Sequence, residues 1–120
     1  MRSRQTLFSL LALMVALSNS GEAQTVGYYR YPAIHSDTVV FTAEGDLWKI
    51  RLGNSQATRL TTHLEQELHA AISPDGKSVA FSASYEGPTE VYVISIEGGQ
   101  PQRLTYDGES ARVVGWTPDG

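Results

Sequence analysis

The 120-residue chain has no cysteine. That excludes disulfides, a thiolate zinc site, a cysteine nucleophile and a lipid-modified cysteine behind a leader. Positive charge is scarce too: 9 Lys and Arg stand against 13 Asp and Glu, a formal net charge of −4. A mildly acidic surface is a poor match for nucleic-acid phosphates or an anionic membrane, so neither is expected as a partner. No apolar run reaches the ~20 residues that a bilayer-spanning helix needs. Beyond residue 23 there is also no sustained helical periodicity.

What is present begins with Arg2 and Arg4, followed by "LFSLLALMVAL" from Leu7 to Leu17, an apolar run of 11. Polar, small residues come next, with Gly21 and Ala23 at the −3 and −1 places of a small-x-small cleavage site. This predicts a secretory signal peptide over 1–23, cut after Ala23. The expected location is the periplasm or the cell exterior. Arg2 and Arg4 are not adjacent, so a twin-arginine route is not indicated. From residue 24 onward the charge is −5, from 7 basic and 12 acidic side chains. An exported domain without disulfides must rely on its core, which suits a large parent fold.

The next feature is repetition. "TVVF" ending at Phe41 and "SVAF" ending at Phe81 lie 40 residues apart. "ATRLT" ending at Thr61 returns as "PQRLT" ending at Thr105, 44 residues on. "SPDG" at Ser73 returns as "TPDG" at Thr117, again 44 on. Each unit holds four short runs rich in Val, Ile, Tyr, Phe and Thr, bounded by Gly, Pro, Asp and Asn. Four antiparallel strands per 40-odd residues is the unit of a β-propeller blade. The prediction is therefore all-β: a lead-in over 24–31, blade 1 over 32–69, blade 2 over 70–110, and the start of a third blade over 111–120. Two blades and a strand cannot close a ring of four to eight. The chain is expected to be the front end of a longer protein, with the missing blades as its first partners.

The repeated "SPDG" has a turn reading. Pro74 presets φ, Asp75 bonds back to nearby backbone, and Gly76 takes the positive φ that closes a hairpin. Asp75, Asp119 and Asp37 are thus turn aspartates rather than ligands or catalytic acids.

"YYRYPAIHSDTVVFTAEGDLWKI", the two "RLT" copies and "VVGWTPDG" resemble the N-terminal propeller of tricorn-type peptidases, and more widely TolB-like propeller repeats. The resemblance runs from Tyr28 to Gly120. It implies a large serine peptidase with a second propeller, a PDZ domain and a C-terminal catalytic domain. There an activated serine would attack a peptide carbonyl, with a histidine as base. It further implies that the propellers control the passage of peptides. None of the family's catalytic residues falls in this segment, so no catalytic, cofactor or metal residue is expected here. Two departures stand out. The archetype is intracellular, whereas this chain carries a leader, and Ser36 stands where a glycine is expected in the opening turn.

Four local constellations stand out. His63, Glu65, Glu67 and His69 in "HLEQELH" would share one side of a strand and could hold a divalent metal. The stretch joins two units, however, and reads as a solvated loop. Ser73, His69 and Asp75 are close in sequence, but no GxSxG elbow is present, and proximity in sequence is not triad geometry. The aromatics Tyr28, Tyr29, Tyr31, Trp48, Tyr85, Tyr92 and Trp116 could form a peptide surface. The alignment of Trp48 with Tyr92 instead argues for packing between blades. Arg59 and Arg103 repeat in the fourth strands, as blade-edge contacts or edge charges.

The functional expectation is an exported tricorn-like serine peptidase, with this segment as a non-catalytic scaffold and substrate gate. Peptides or unfolded polypeptide would be the parent's substrates, and the full-length parent would be a homo-oligomer. The alternatives are a TolB-like protein-binding propeller, or the propeller of a prolyl-oligopeptidase or amidohydrolase type of enzyme.

Overall fold

The computed structural model describes residues 28–120. The leader expected over 1–23 lies outside them. Eight strands form two sheets. The first holds β1 (Arg30–His35), β2 (Thr38–Ala43), β3 (Asp46–Arg51) and β4 (Thr58–Arg59), in that order. The second holds β5 (Glu67–Ile72), β6 (Ser78–Ala83), β7 (Glu90–Ser95) and β8 (Gln102–Arg103), also in order. All neighbouring strands are antiparallel. No helix among the described residues is long and apolar enough to cross a membrane.

Turn chemistry sets the registers. β2 and β3 are joined by two residues, Glu44 and Gly45, both at positive φ (54° and 91°). That is the twist a two-residue hairpin needs. Ser36 also sits at φ 53°, which explains why a glycine would suit its place. In the second unit the β5–β6 turn is longer, and Gly76 takes φ 73° with its N–H on the Ser73 carbonyl at 2.8 Å. Asp75 accepts from the Ser73 hydroxyl (2.6 Å) and from the Lys77 N–H (3.0 Å). It is the turn aspartate that the sequence indicated.

The uneven repeat spacing follows from these loops. Ala33 and Ala71 hold matching places in β1 and β5, and Phe41 and Phe81 in β2 and β6. Trp48 and Tyr92 match in β3 and β7, and Arg59 and Arg103 in β4 and β8. The β6–β7 loop, Ser84 to Thr89, is longer than the Glu44–Gly45 turn, so the offset grows between the second and third strands.

Both first strands are bulged. Register shifts between Arg30 and Ala33 in β1, and between Leu68 and Ala71 in β5. The bulge residues Tyr31 and His69 have φ of 52° and 55°. The bulges let the first strands start earlier than the apolar pattern suggested. β1 opens at Arg30, inside the stretch read as lead-in, and β5 opens at Glu67, inside the stretch read as blade 1.

The sheets stack face to face. Contact is densest between β1 and β5 and weakens through β2 and β3. They therefore diverge outward like pages, as blades around an axis do. One apolar cluster crosses the seam, built on Val40, Leu47 and Leu60 of the first unit and Val79, Phe81, Tyr92 and Ile94 of the second. Phe81 is fully buried, and its ring stacks on that of Tyr92 at 5.7 Å. Burying such a ring contributes about 2–3 kcal/mol. The matching face of the first sheet, with Phe41 and Trp48, is only half-buried, and Tyr29 meets Phe41 edge-on at 5.2 Å. Residues 111–117 continue past β8 along the second sheet. There Val113 N–H reaches Ser82 Oγ at 2.9 Å, and Trp116 Nε1 reaches the Ala71 carbonyl at 2.9 Å.

Candidate functional site: the seam between the blades

Two of these constellations come apart in the structure. In "HLEQELH" the bulge at His69 breaks alternation. His63 stacks on Tyr85 at 3.8 Å, while His69 packs on Tyr31 at 4.5 Å. Glu65 is exposed, and among the described residues no three His, Asp or Glu side chains converge as a metal set. Ser73 and Asp75 do meet, but as turn partners. The Ser73 hydroxyl donates to Asp75 and accepts from the Ser78 N–H at 2.9 Å, and among the described residues no histidine hydrogen-bonds to it. Tyr92 packs inside the seam, as its alignment indicated, whereas Tyr28 and Tyr29 remain exposed.

Glu67 is the correction. The sequence pattern puts it in a solvated loop, yet no part of it reaches solvent. It opens β5 because its N–H reaches back to the Gly45 carbonyl (2.8 Å), while Thr42 Oγ1 donates to its carbonyl (2.8 Å). Those bonds pull it under the first sheet. Its carboxylate then takes the Leu47 N–H at 3.0 Å, the Thr61 hydroxyl and, from its own unit, the Tyr85 hydroxyl. Burial pushes its carboxyl above the usual range, against these hydrogen bonds, and the neighbouring Asp46 adds to the rise. Tyr85 is raised as well, by burial and then by its bond to Glu67.

The second unit solves the same problem differently. Asp46 and Glu90 open the third strands at matching places, and both are buried. Asp46 pairs with Arg59 and caps the His63 N–H at 3.0 Å. It does not reach Thr61. Glu90 is one carbon longer. It accepts from the Thr105 hydroxyl and pairs with Arg103 at 2.7 Å. The Thr105 bond, helped by Arg103, holds its carboxyl below the usual range. Thr61 and Thr105 both accept a third-strand N–H, from Leu47 (2.8 Å) and Val91 (2.9 Å). Where the first seam has Glu67, the next has Ala111, whose N–H bonds to Thr89 as that of Glu67 bonds to Gly45. The repeated arginines on the edge strands β4 and β8 are thus also partners of buried acids. Sequence reading missed this unit, although an acid recurs at Asp46 and Glu90 ahead of each "RLT".

A cleft of about 560 Å³ opens over this seam. Its floor is Thr61, Glu67 and Tyr85, and its walls include His63, Arg103 and Tyr106. A second hollow of about 890 Å³ lies on the open face of the first sheet, between Phe41, Trp48, Tyr28 and Tyr29.

Residues 26–120 match the family described as the tricorn protease N-terminal beta propeller domain. The chain is 42% identical over 94 residues to tricorn protease homolog 1 of Streptomyces coelicolor, covering 78% of this chain and 9% of that protein. It is 38% identical over 94 residues to the tricorn protease homolog of Saccharolobus solfataricus, covering 74% and 9%. Among solved structures it superposes on the tricorn protease with a TM-score of 0.60 at 26% identity, covering 67% of this chain and 8% of that one. It also superposes on TolB from Acinetobacter baumannii, with a TM-score of 0.64 at 23% identity, covering 76% and 24%. The chain spans about a tenth of the length of the two tricorn homologues it matches.

Proposed function

Since the chain belongs to the tricorn protease N-terminal β-propeller family, we propose that it is the opening scaffold of an exported serine peptidase that degrades peptides. Its blades form part of a wall that admits peptides to a catalytic domain elsewhere in the parent. The observation behind this reading is the family match over 26–120, together with polar groups that are occupied by holding strands and blades together. The basic and apolar start of the sequence supports export. TolB shares the fold, and a binding propeller of that kind is the second reading.

Two measurements test this. The first compares the full-length parent with a form lacking residues 28–120, on a short and a long peptide substrate. A scaffold and gate predicts that turnover is kept on the short peptide while discrimination by length changes. Identical length profiles would reject the gate. The second is N-terminal sequencing of the protein recovered from an envelope fraction, with Gln24 expected as the first residue. An intact Met1 in the cytoplasmic fraction would reject export.

A further inference from the structure

Two buried glutamates, Glu67 and Glu90, do the same mechanical work, but only one has a cation. Glu90 faces Arg103 at 2.7 Å, and Arg103 also holds Glu86 at 3.1 Å. Glu67 receives the Leu47 N–H, the Thr61 hydroxyl and the Tyr85 hydroxyl, all neutral donors. The charged and titratable groups around it have other partners or the wrong sign. Asp46 of β3 is an acid and holds Arg59 of β4. His63, in the link between the sheets, packs on Tyr85 with its ring tilted by 32°. Across the cleft, Arg103 of β8 already serves two carboxylates and lies over the Tyr106 ring at 4.6 Å. Tyr92 of β7 packs on Tyr85 at 4.6 Å and offers no positive charge. An ionised carboxylate in such a place is costly, because nothing replaces the lost water with opposite charge.

The protonated form fits the same site without breaking a bond. The Leu47 N–H and the Thr61 hydroxyl both point at Oε2, while Tyr85 points at Oε1. A phenol hydroxyl can donate or accept. A proton entering from the cleft can settle on Oε1 and be donated to the Tyr85 oxygen. The phenol hydrogen then swings toward the open cleft. Three bonds remain, and the buried charge is gone.

We propose that the seam between the first two blades is a proton-sensitive joint that tightens when Glu67 takes up a proton and loosens when it ionises. The raised carboxyl of Glu67 sets the sign. A group raised on folding lends stability that is complete below its unfolded value, about 4.3, and is lost as pH rises through its folded value. The cluster inside blade 2 runs the other way, because Glu90, held by Thr105 and Arg103 of the same blade, is lowered. The seam between the blades and the interior of blade 2 thus respond to pH in opposite senses.

The test is native-state hydrogen exchange on the full-length protein, read by mass spectrometry and corrected for the intrinsic pH dependence of exchange. The readouts are the segments holding the Leu47 and Val91 amides. In the wild type, protection at Leu47 should fall as pH rises from 4 to 8. Protection at Val91 should fall only as pH drops below about 4.3. The same response in both segments would overturn the proposal without any variant. In Glu67→Gln, which stays neutral, the pH dependence at Leu47 should be lost while that at Val91 persists. An unchanged Leu47 profile in the variant would equally overturn it.

Discussion

Thr61 of the first blade gives its hydroxyl hydrogen to Glu67 of the second, whereas its counterpart Thr105 gives its own to Glu90 within one blade. The repeat keeps the threonine and changes the source of the carboxylate. Asp46 with Glu67 in one unit does what Glu90 with Ala111 does in the next.

This exchange should be transplantable. Glu67→Ala leaves the Thr61 and Tyr85 hydroxyls in the seam without their acceptor, at a cost of about 1–3 kcal/mol. Adding Asp46→Glu supplies the longer acid beside Arg59 and should recover at least half of the loss. Exchange at the Leu47 amide is the readout, where 1.4 kcal/mol is about tenfold in rate. Two losses that simply add would refute the compensation.

Gly76 combines a left-handed backbone with a tight neighbour. A Cβ there would lie 2.8 Å from His35 Nδ1, in a turn that His35 also grips through Nε2 and the Pro74 carbonyl at 2.8 Å. Gly53 has φ 91° with nothing within 4 Å. Gly53→Ala should cost about 1 kcal/mol from backbone strain alone. Gly76→Ala should cost clearly more, and parallel denaturant titrations of the two variants compare them directly.

Phe41 and Phe81 hold matching strand positions in different surroundings. Phe81→Ala empties a closed site and should cost about 3–5 kcal/mol. Phe41 is half-buried, so Phe41→Ala in the full-length protein should cost less. Equal losses there would show that Phe41 is already covered.

Acid should weaken the second blade through Glu90. Its carboxyl is lowered by the Thr105 hydroxyl and then by Arg103, with burial opposing. A lowered group lends stability above its unfolded value, about 4.3, and loses it as pH falls through the folded value. Glu90→Gln should therefore flatten the acid limb of protection at Val91. A limb as steep as in the wild type would remove Glu90 as its origin.

Residues 24–120 made alone should aggregate or stay loosely packed. Tyr28, Tyr29, Phe41 and Trp48 leave an apolar hollow open on the first sheet. A sharp cooperative melt of a monomer by calorimetry would contradict this. The isolated chain should also show no peptide hydrolysis. Turnover that survives repurification and is abolished by changing one serine would overturn that.

Much of the fold is local chemistry and therefore legible in order along the chain. Alternating apolar residues, two-residue turns at Glu44–Gly45 and the "SPDG" bend determine strand order, and the recurrence of "RLT" counts the blades. The same pattern separates turn aspartates such as Asp75 from catalytic ones. What tertiary structure alone decided is where charge is buried. Nothing in "HLEQELH" distinguishes Glu65 from Glu67, since both are acids in a polar stretch. A bulge two residues on, at His69, and two backbone bonds, to Gly45 and from Thr42, carry Glu67 under the neighbouring sheet and leave Glu65 in water. Burial is a property of two sheets meeting, and Thr42, which helps hold Glu67 there, lies 25 positions away in the chain.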